Sequence, residues 1–132
     1  VAVLEGINDI GRAAQPGYAS EAVTADELIA GYRQLIERAH ARGVKIWGGT
    51  ILPFEGAMYY HPAGEATRQA VNTWIRTSGA FDGVIDFEAV GKDPAKPTQM
   101  PDGFHSGDHL HPADAGYALM AEAADKALFG AK

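Results

Sequence analysis

The chain has 132 residues, 46% hydrophobic and 21% charged, enough for one domain with a buried core. Its net charge of −6, without any basic run, disfavours nucleic acid and an anionic membrane surface as partners, since both select a cationic footprint. No apolar run reaches the ~20 residues of a bilayer-spanning helix, and the lack of cysteine excludes a disulfide framework and thiolate metal sites.

In chain order, the apolar run Val1-Ala2-Val3-Leu4 predicts a buried strand that ends at Gly6. Thr24-Ala25-Asp26-Glu27 has the spacing of a capping box and predicts the start of a helix. Leu28, Ile29, Tyr32, Leu35, Ile36 and Ala39 then recur at helical spacing as one apolar stripe, and Gly43 ends it. Val44 to Leu52 predicts a second strand, interrupted by Gly48-Gly49 and closed by Pro53. Residues 53 to 63 form a loop rich in aromatic side chains. Glu65 to Ser78 predicts a helix with Ala66, Ala70, Val71, Trp74 and Ile75 inward.

Val84 to Phe87 predicts a third strand. A long polar loop carrying Pro94, Pro97, Pro101 and Pro112 leads to a last helix over Asp114 to Phe129, with Tyr117, Met120, Ala124 and Leu128 facing inward. Strands that alternate with helices predict an α/β sandwich around a parallel sheet. In open parallel sheets, sites form beyond the carboxyl ends of the strands.

Two motifs can reach that rim: Gly6-Ile7-Asn8-Asp9 after the first strand and Asp108-His109-Leu110-His111-Pro112 before the last helix. An imidazole such as His111 can take a proton from a hydroxyl nucleophile and return it to a leaving group. A carboxylate three residues earlier, Asp108, can turn to the other ring nitrogen, fix its tautomer and stabilise the imidazolium. A side-chain amide just past a strand end, Asn8, can donate to a developing oxyanion. Each motif also has a local reading: Asn and Asp in turns, and a histidine packed ahead of a helix. Asp9 is expected to anchor its loop by accepting backbone hydrogen bonds, and Gly6 to permit the turn.

At this separation and in this order, the two motifs resemble the last two signature blocks of the SGNH (GDSL-type) serine hydrolases. The resemblance runs through the whole chain but lacks the Gly-Asp-Ser block that carries the nucleophile. It implies a three-layer α/β/α sandwich, the flavodoxin-like SGNH fold, with only the last three strands present and residues 1–132 as the C-terminal part of a single domain. It implies a metal-independent acyl or acetyl esterase without cofactor. Asp108 and His111 are then the acid–base pair and Asn8 the oxyanion donor, with Gly6, Tyr59 and Tyr60 near the substrate.

The resemblance also implies a small ester as substrate, whether an acylated sugar, an aryl ester or a lipid. Ser20, Ser78 and Ser106 do not stand in a nucleophile setting, so this chain alone is expected to be inactive. The strand at Val1 to Leu4 is expected to pair with an N-terminal fragment or a second copy, because an apolar open edge invites a partner. Family likeness alone favours a secreted or periplasmic protein and leaves the compartment open.

Two other readings compete. One is a non-catalytic carbohydrate- or partner-binding module on the same fold. The other is a metal site built from His105, Asp108, His109 and His111. Against the latter, His109 and His111 alternate along an extended segment and would point apart.

Overall fold

The structure, a computed structural model, describes residues 1–130. Three short parallel strands, β1 (Ala2–Val3), β2 (Trp47–Gly49) and β3 (Gly83–Ile85), lie side by side in chain order. Ala2 is in register with Trp47, and Trp47 in turn with Gly83. The helices are α1 (Ile7–Arg12), α2 (Ala25–His40), α3 (Pro62–Thr77), α4 (Phe87–Gly91) and α5 (Asp114–Phe129).

Strand alternation divides the core in two. Ile46, Ile51 and Phe81 join residues of α1, α2 and α3 in one cluster, whereas Leu52, Ile85 and Phe87 join Met100, Phe104 and Met120 in another. The result is a three-layer α/β/α sandwich with a parallel sheet in the middle.

Sequence signals located the long helices closely. Thr24 caps α2 with both halves of the capping box in place. The last helix spans the predicted residues. Helix α3 starts three residues before the predicted Glu65, because His61 is extended and Pro62 supplies the first-turn residue that lacks a donor.

The inward face of α3 differs more. Ala66 and Ala70 are exposed, whereas Glu65, Arg68 and Asn72 are buried beside Val71 and Ile75. These polar groups are tolerated because each is hydrogen-bonded. The Asn72 side chain accepts from the Ile51 amide at 2.7 Å and donates to the Ile51 carbonyl at 2.8 Å. Arg68 donates to the same carbonyl at 2.8 Å and pairs with Glu65 and Glu88. Side chains thus take over from a neighbouring strand, which is why β2 ends sooner than the apolar run does.

The Gly48-Gly49 pair interrupts nothing. A Cβ at Gly48 would lie 2.5 Å from the Phe81 ring and one at Gly49 2.8 Å from the Phe87 ring, so the missing side chains admit one aromatic on each face. The third strand is shorter than predicted for a different reason. Asp86 accepts from the Ala89 amide and caps α4, a helix that the sequence reading took for strand and loop.

Strand β1 has β2 on one side only among the described residues. Val1 is 66% exposed, and Leu4, Leu35 and Val44 are exposed along the same margin. Two shallow grooves run there, one lined by Val1, Ala39 and Val44 and the other by Gly6, Leu28, Gly31 and Leu35.

Candidate active site

The chain leaves β1 through Gly6, whose φ of 105° is a conformation that L side chains rarely adopt. The left-handed step turns the backbone into α1, so Asn8 and Asp9 stand on the first helical turn rather than on the predicted loop. The Glu5 carbonyl beside this turn accepts from the Tyr32 hydroxyl at 2.7 Å. Burial, with the charges of Glu5 and Asp9, pushes Tyr32 up to about 12. Asp9 does not anchor the turn as expected: its carboxylate has no hydrogen bond among the described residues, and its charge suits the helix N-terminus instead.

Asn8 is fixed from a distant segment. The Tyr59 hydroxyl donates to Asn8 Oδ1 at 3.2 Å, which leaves the Nδ2 hydrogens free to donate elsewhere. Tyr59 is pushed up by burial and then by the Asp108 charge, so its hydroxyl stays protonated as a donor.

The second half of the site is the loop before α5. Asp108 Oδ1 accepts from the backbone amides of Leu110 and His111, each at 2.9 Å. Asp108 Oδ2 faces His111 Nδ1 at 2.6 Å. A carboxylate only accepts, so Nδ1 donates and Nε2 is the nitrogen left for a reacting hydroxyl. The hydrogen bond from the His111 ring, followed by those from the His111 and Leu110 amides, holds the Asp108 carboxyl far below its ordinary range.

The two halves line one cleft of about 250 Å³. Gly6 and Asn8 enter from the β1–α1 turn, Ile51 to Pro53 from the end of β2, and Tyr59 from the following loop. Leu110, His111 and Pro112 come from the loop before α5, and Tyr117 and Met120 from the helix itself. Tyr117 was read as a core residue but is 55% exposed on the cleft wall. Tyr60 does not line the cleft, since its ring packs edge-on against Phe54 with centroids 5.1 Å apart.

The serines behave differently from a nucleophile. Ser20 is exposed in a short 3-10 turn, and Ser78 ends α3 with its hydroxyl accepting from the Ala80 amide. Ser106 stands two residues before Asp108, and its backbone amide donates to the His111 carbonyl at 2.8 Å. Among the described residues, no hydrogen bond joins a serine to the His111 ring. Nor do any three His, Cys, Asp or Glu side chains there group as a cation site requires. The His105 and His109 rings pack against each other at a 35° tilt with centroids 4.2 Å apart.

The residues that sequence reading missed are those that hold the Ile51 wall of the cleft, Arg68 and Asn72. Their helical spacing was visible, but a polar residue on an inward face gives no signal of its partner.

Comparison with known proteins gives the fold a name. The chain is similar to a GDSL-like lipase from Bacteroides thetaiotaomicron, with 17% identity and a TM-score of 0.77 over 96% of this chain and 60% of that one. It is similar to an acetylxylan esterase from Geobacillus stearothermophilus, solved as a catalytic mutant, with 25% identity and a TM-score of 0.70 over 96% of this chain and 57% of that one. The chain thus spans less than two-thirds of the length of either structure. Among curated proteins, none matches the sequence. The model of the GDSL-like lipase/acylhydrolase family matches residues 1–119, a stretch that includes Asn8, Asp108 and His111. The chain belongs to the GDSL-like lipase/acylhydrolase family.

Proposed function

We propose that residues 1–132 are the C-terminal part of a single carboxylic ester hydrolase domain whose nucleophilic serine lies on a segment that pairs with β1. The observation that carries this reading is the 2.6 Å contact between Asp108 and His111 beside a cleft that Asn8 also lines. In the complete site, His111 Nε2 takes the serine proton as the serine oxygen bonds to the ester carbonyl carbon. Asp108 stabilises the imidazolium, and Asn8 Nδ2 donates to the tetrahedral oxyanion. The oxyanion collapses, the carbon–alkoxide bond breaks, and His111 gives its proton to the departing alcohol. Water then repeats the cycle and releases the acid.

Gly6 and Tyr59 line the cleft beside Asn8 and would face the bound ester. An acetylated sugar is the substrate class to try first, with acetylxylan esterase among the similar structures. Catalytic mutants of that enzyme replace a serine in one case and an aspartate in another.

The test is native mass spectrometry of the preparation, followed by labelling with a serine-directed phosphonate and a burst assay on an aryl acetate. The expected result is that the 14.0 kDa species alone is unlabelled and shows no burst. A longer chain, or a complex with an upstream segment, labels stoichiometrically and turns over. Labelling of Ser106 in the 14.0 kDa species would overturn the missing-nucleophile reading. Ligand retention at the cleft without turnover in the longer species would favour the non-catalytic binding module.

A further inference from the structure

His105 is buried, 9% exposed, and its ring occupies the middle of the loop that carries the acid–base pair. Its Nδ1 lies 3.1 Å from the Gly107 amide and 3.3 Å from the His109 amide, the two residues that flank Asp108. Backbone amides only donate, so Nδ1 holds a lone pair and the ring proton sits on Nε2. Nε2 has no hydrogen-bond partner and stands 3.9 Å from the exposed Asp102 carboxylate. The ring therefore does its polar work through one nitrogen, toward the backbone.

The surrounding contacts close the loop around that ring. The Ser106 amide donates to the His111 carbonyl at 2.8 Å, the Ala113 amide donates to the Phe104 carbonyl at 2.8 Å, and His105 and Pro112 form an isolated antiparallel bridge. At the apex, His109 has a φ of 57°, in the left-handed region that few non-glycine residues adopt. Asp108 satisfies the amides of Leu110 and His111, and His105 satisfies those of Gly107 and His109. Two side chains thus fix the backbone on both sides of the carboxylate. Removing the His105 acceptor leaves two amides free to turn toward water, and the direction of Asp108 turns with them.

We propose that His105 is a positioning residue: as a neutral Nε2–H imidazole it clamps the backbone that aims Asp108 at His111. The role rests on reading Asp108 and His111 as the acid–base pair, but it is read from the pair's own hydrogen bond rather than from turnover.

The experiment is nuclear magnetic resonance on histidine-labelled protein. Nitrogen–proton correlations are expected to show His105 protonated at Nε2 and bare at Nδ1. An Nδ1–H tautomer, or an imidazolium at neutral pH, would overturn the proposal without any mutant. The ring-nitrogen shifts of His111, which report the Nδ1–H tautomer held by Asp108, supply the second readout. His105→Asn places an acceptor close to the position of Nδ1 and should keep that tautomer. His105→Gln and His105→Leu should shift His111 toward the Nε2–H tautomer by about tenfold.

Equal behaviour of the Asn and Gln variants, with melting temperatures alike, would sink the idea. If the variants fail to fold, the tautomer in the unmodified protein still decides. Absent hydrolysis alongside the expected resonances would count against the esterase reading alone.

Discussion

Asp108 uses both of its oxygens within three residues of itself, one on two amides and the other on the His111 ring. An amide in its place would offer a donor where the ring also donates, and would leave the imidazole in the wrong tautomer. In the catalytically complete protein, Asp108→Asn should therefore lower kcat by about 10³- to 10⁴-fold with little change in KM, as measured by steady-state ester hydrolysis. Tyr59→Phe tests the other half of the site. It removes the hydroxyl that pins Asn8 Oδ1, so the amide can turn its oxygen toward the oxyanion position. A fall in kcat of about tenfold at constant KM is expected, on the scale of one oriented hydrogen bond. Asn8, Asp108 and His111 were legible in the sequence because short motifs carry them. Tyr59 was legible only as an aromatic near the site, since its contact with Asn8 spans 51 positions and no local pattern encodes it.

Among the elements, α2 and α5 were written plainly in capping residues and apolar spacing, whereas α3 was misread on its inward face. Alanines at 66 and 70 looked like core, yet helical spacing fits the row Glu65, Arg68 and Asn72 equally well. What decides between them is the Ile51 backbone waiting at the end of β2, and that is a tertiary fact. Asn72→Ala should leave the Ile51 amide without a partner, while the Ile51 carbonyl keeps Arg68, and cost about 1–3 kcal/mol in denaturant unfolding. The charged members of the network also set a pH dependence. Burial alone would push the Asp86 and Glu88 carboxyls up, but hydrogen bonds from Arg76, together with Thr50 at Asp86 and Arg68 at Glu88, hold both below their ordinary values. A depressed carboxyl contributes stability that is complete above its unfolded value and is lost as pH falls through the folded one. Stability to denaturant should therefore be level from pH 7 to about 5 and decline below about pH 4. A flat profile down to pH 3 would show that these ion pairs add nothing to the fold.

At the scale of the whole molecule, the sequence pattern was sufficient for the layer order and the parallel sheet, because alternating strands and helices leave few topologies. It was less informative about strand length, since backbone pairing here is taken over by side chains of α3 and by the cap at Asp86. The open margin beside β1 is the largest departure from a closed domain. Val1, Leu4, Leu35 and Val44 are all exposed along it, and an uncovered edge of this kind attracts another strand. Hydrogen exchange on the isolated 132 residues should find the amides of residues 2 and 4 exchanging quickly, since the parallel register turns the Val3 amide toward β2 and theirs away from it. Slow exchange at those amides in a monodisperse monomer would argue that the edge needs no partner. Addition of the upstream segment should slow them together with the β1-facing side of α2.

Arg68 has a consequence for the order in which the chain folds. Its guanidinium, with no exposed surface, draws on its own helix through Glu65, on the end of β2 through the Ile51 carbonyl, and on α4 through Glu88. These partners emerge from the ribosome at different moments, and Glu88 comes last. Until it arrives, docking α3 on the sheet would bury the guanidinium without the charged acceptor of its third nitrogen, at a cost of about 1–3 kcal/mol. Partly docked states are therefore penalised, and the segment from β2 to α4 should condense in a single cooperative step. Strand β1, which lies outside that network, is free to join afterwards.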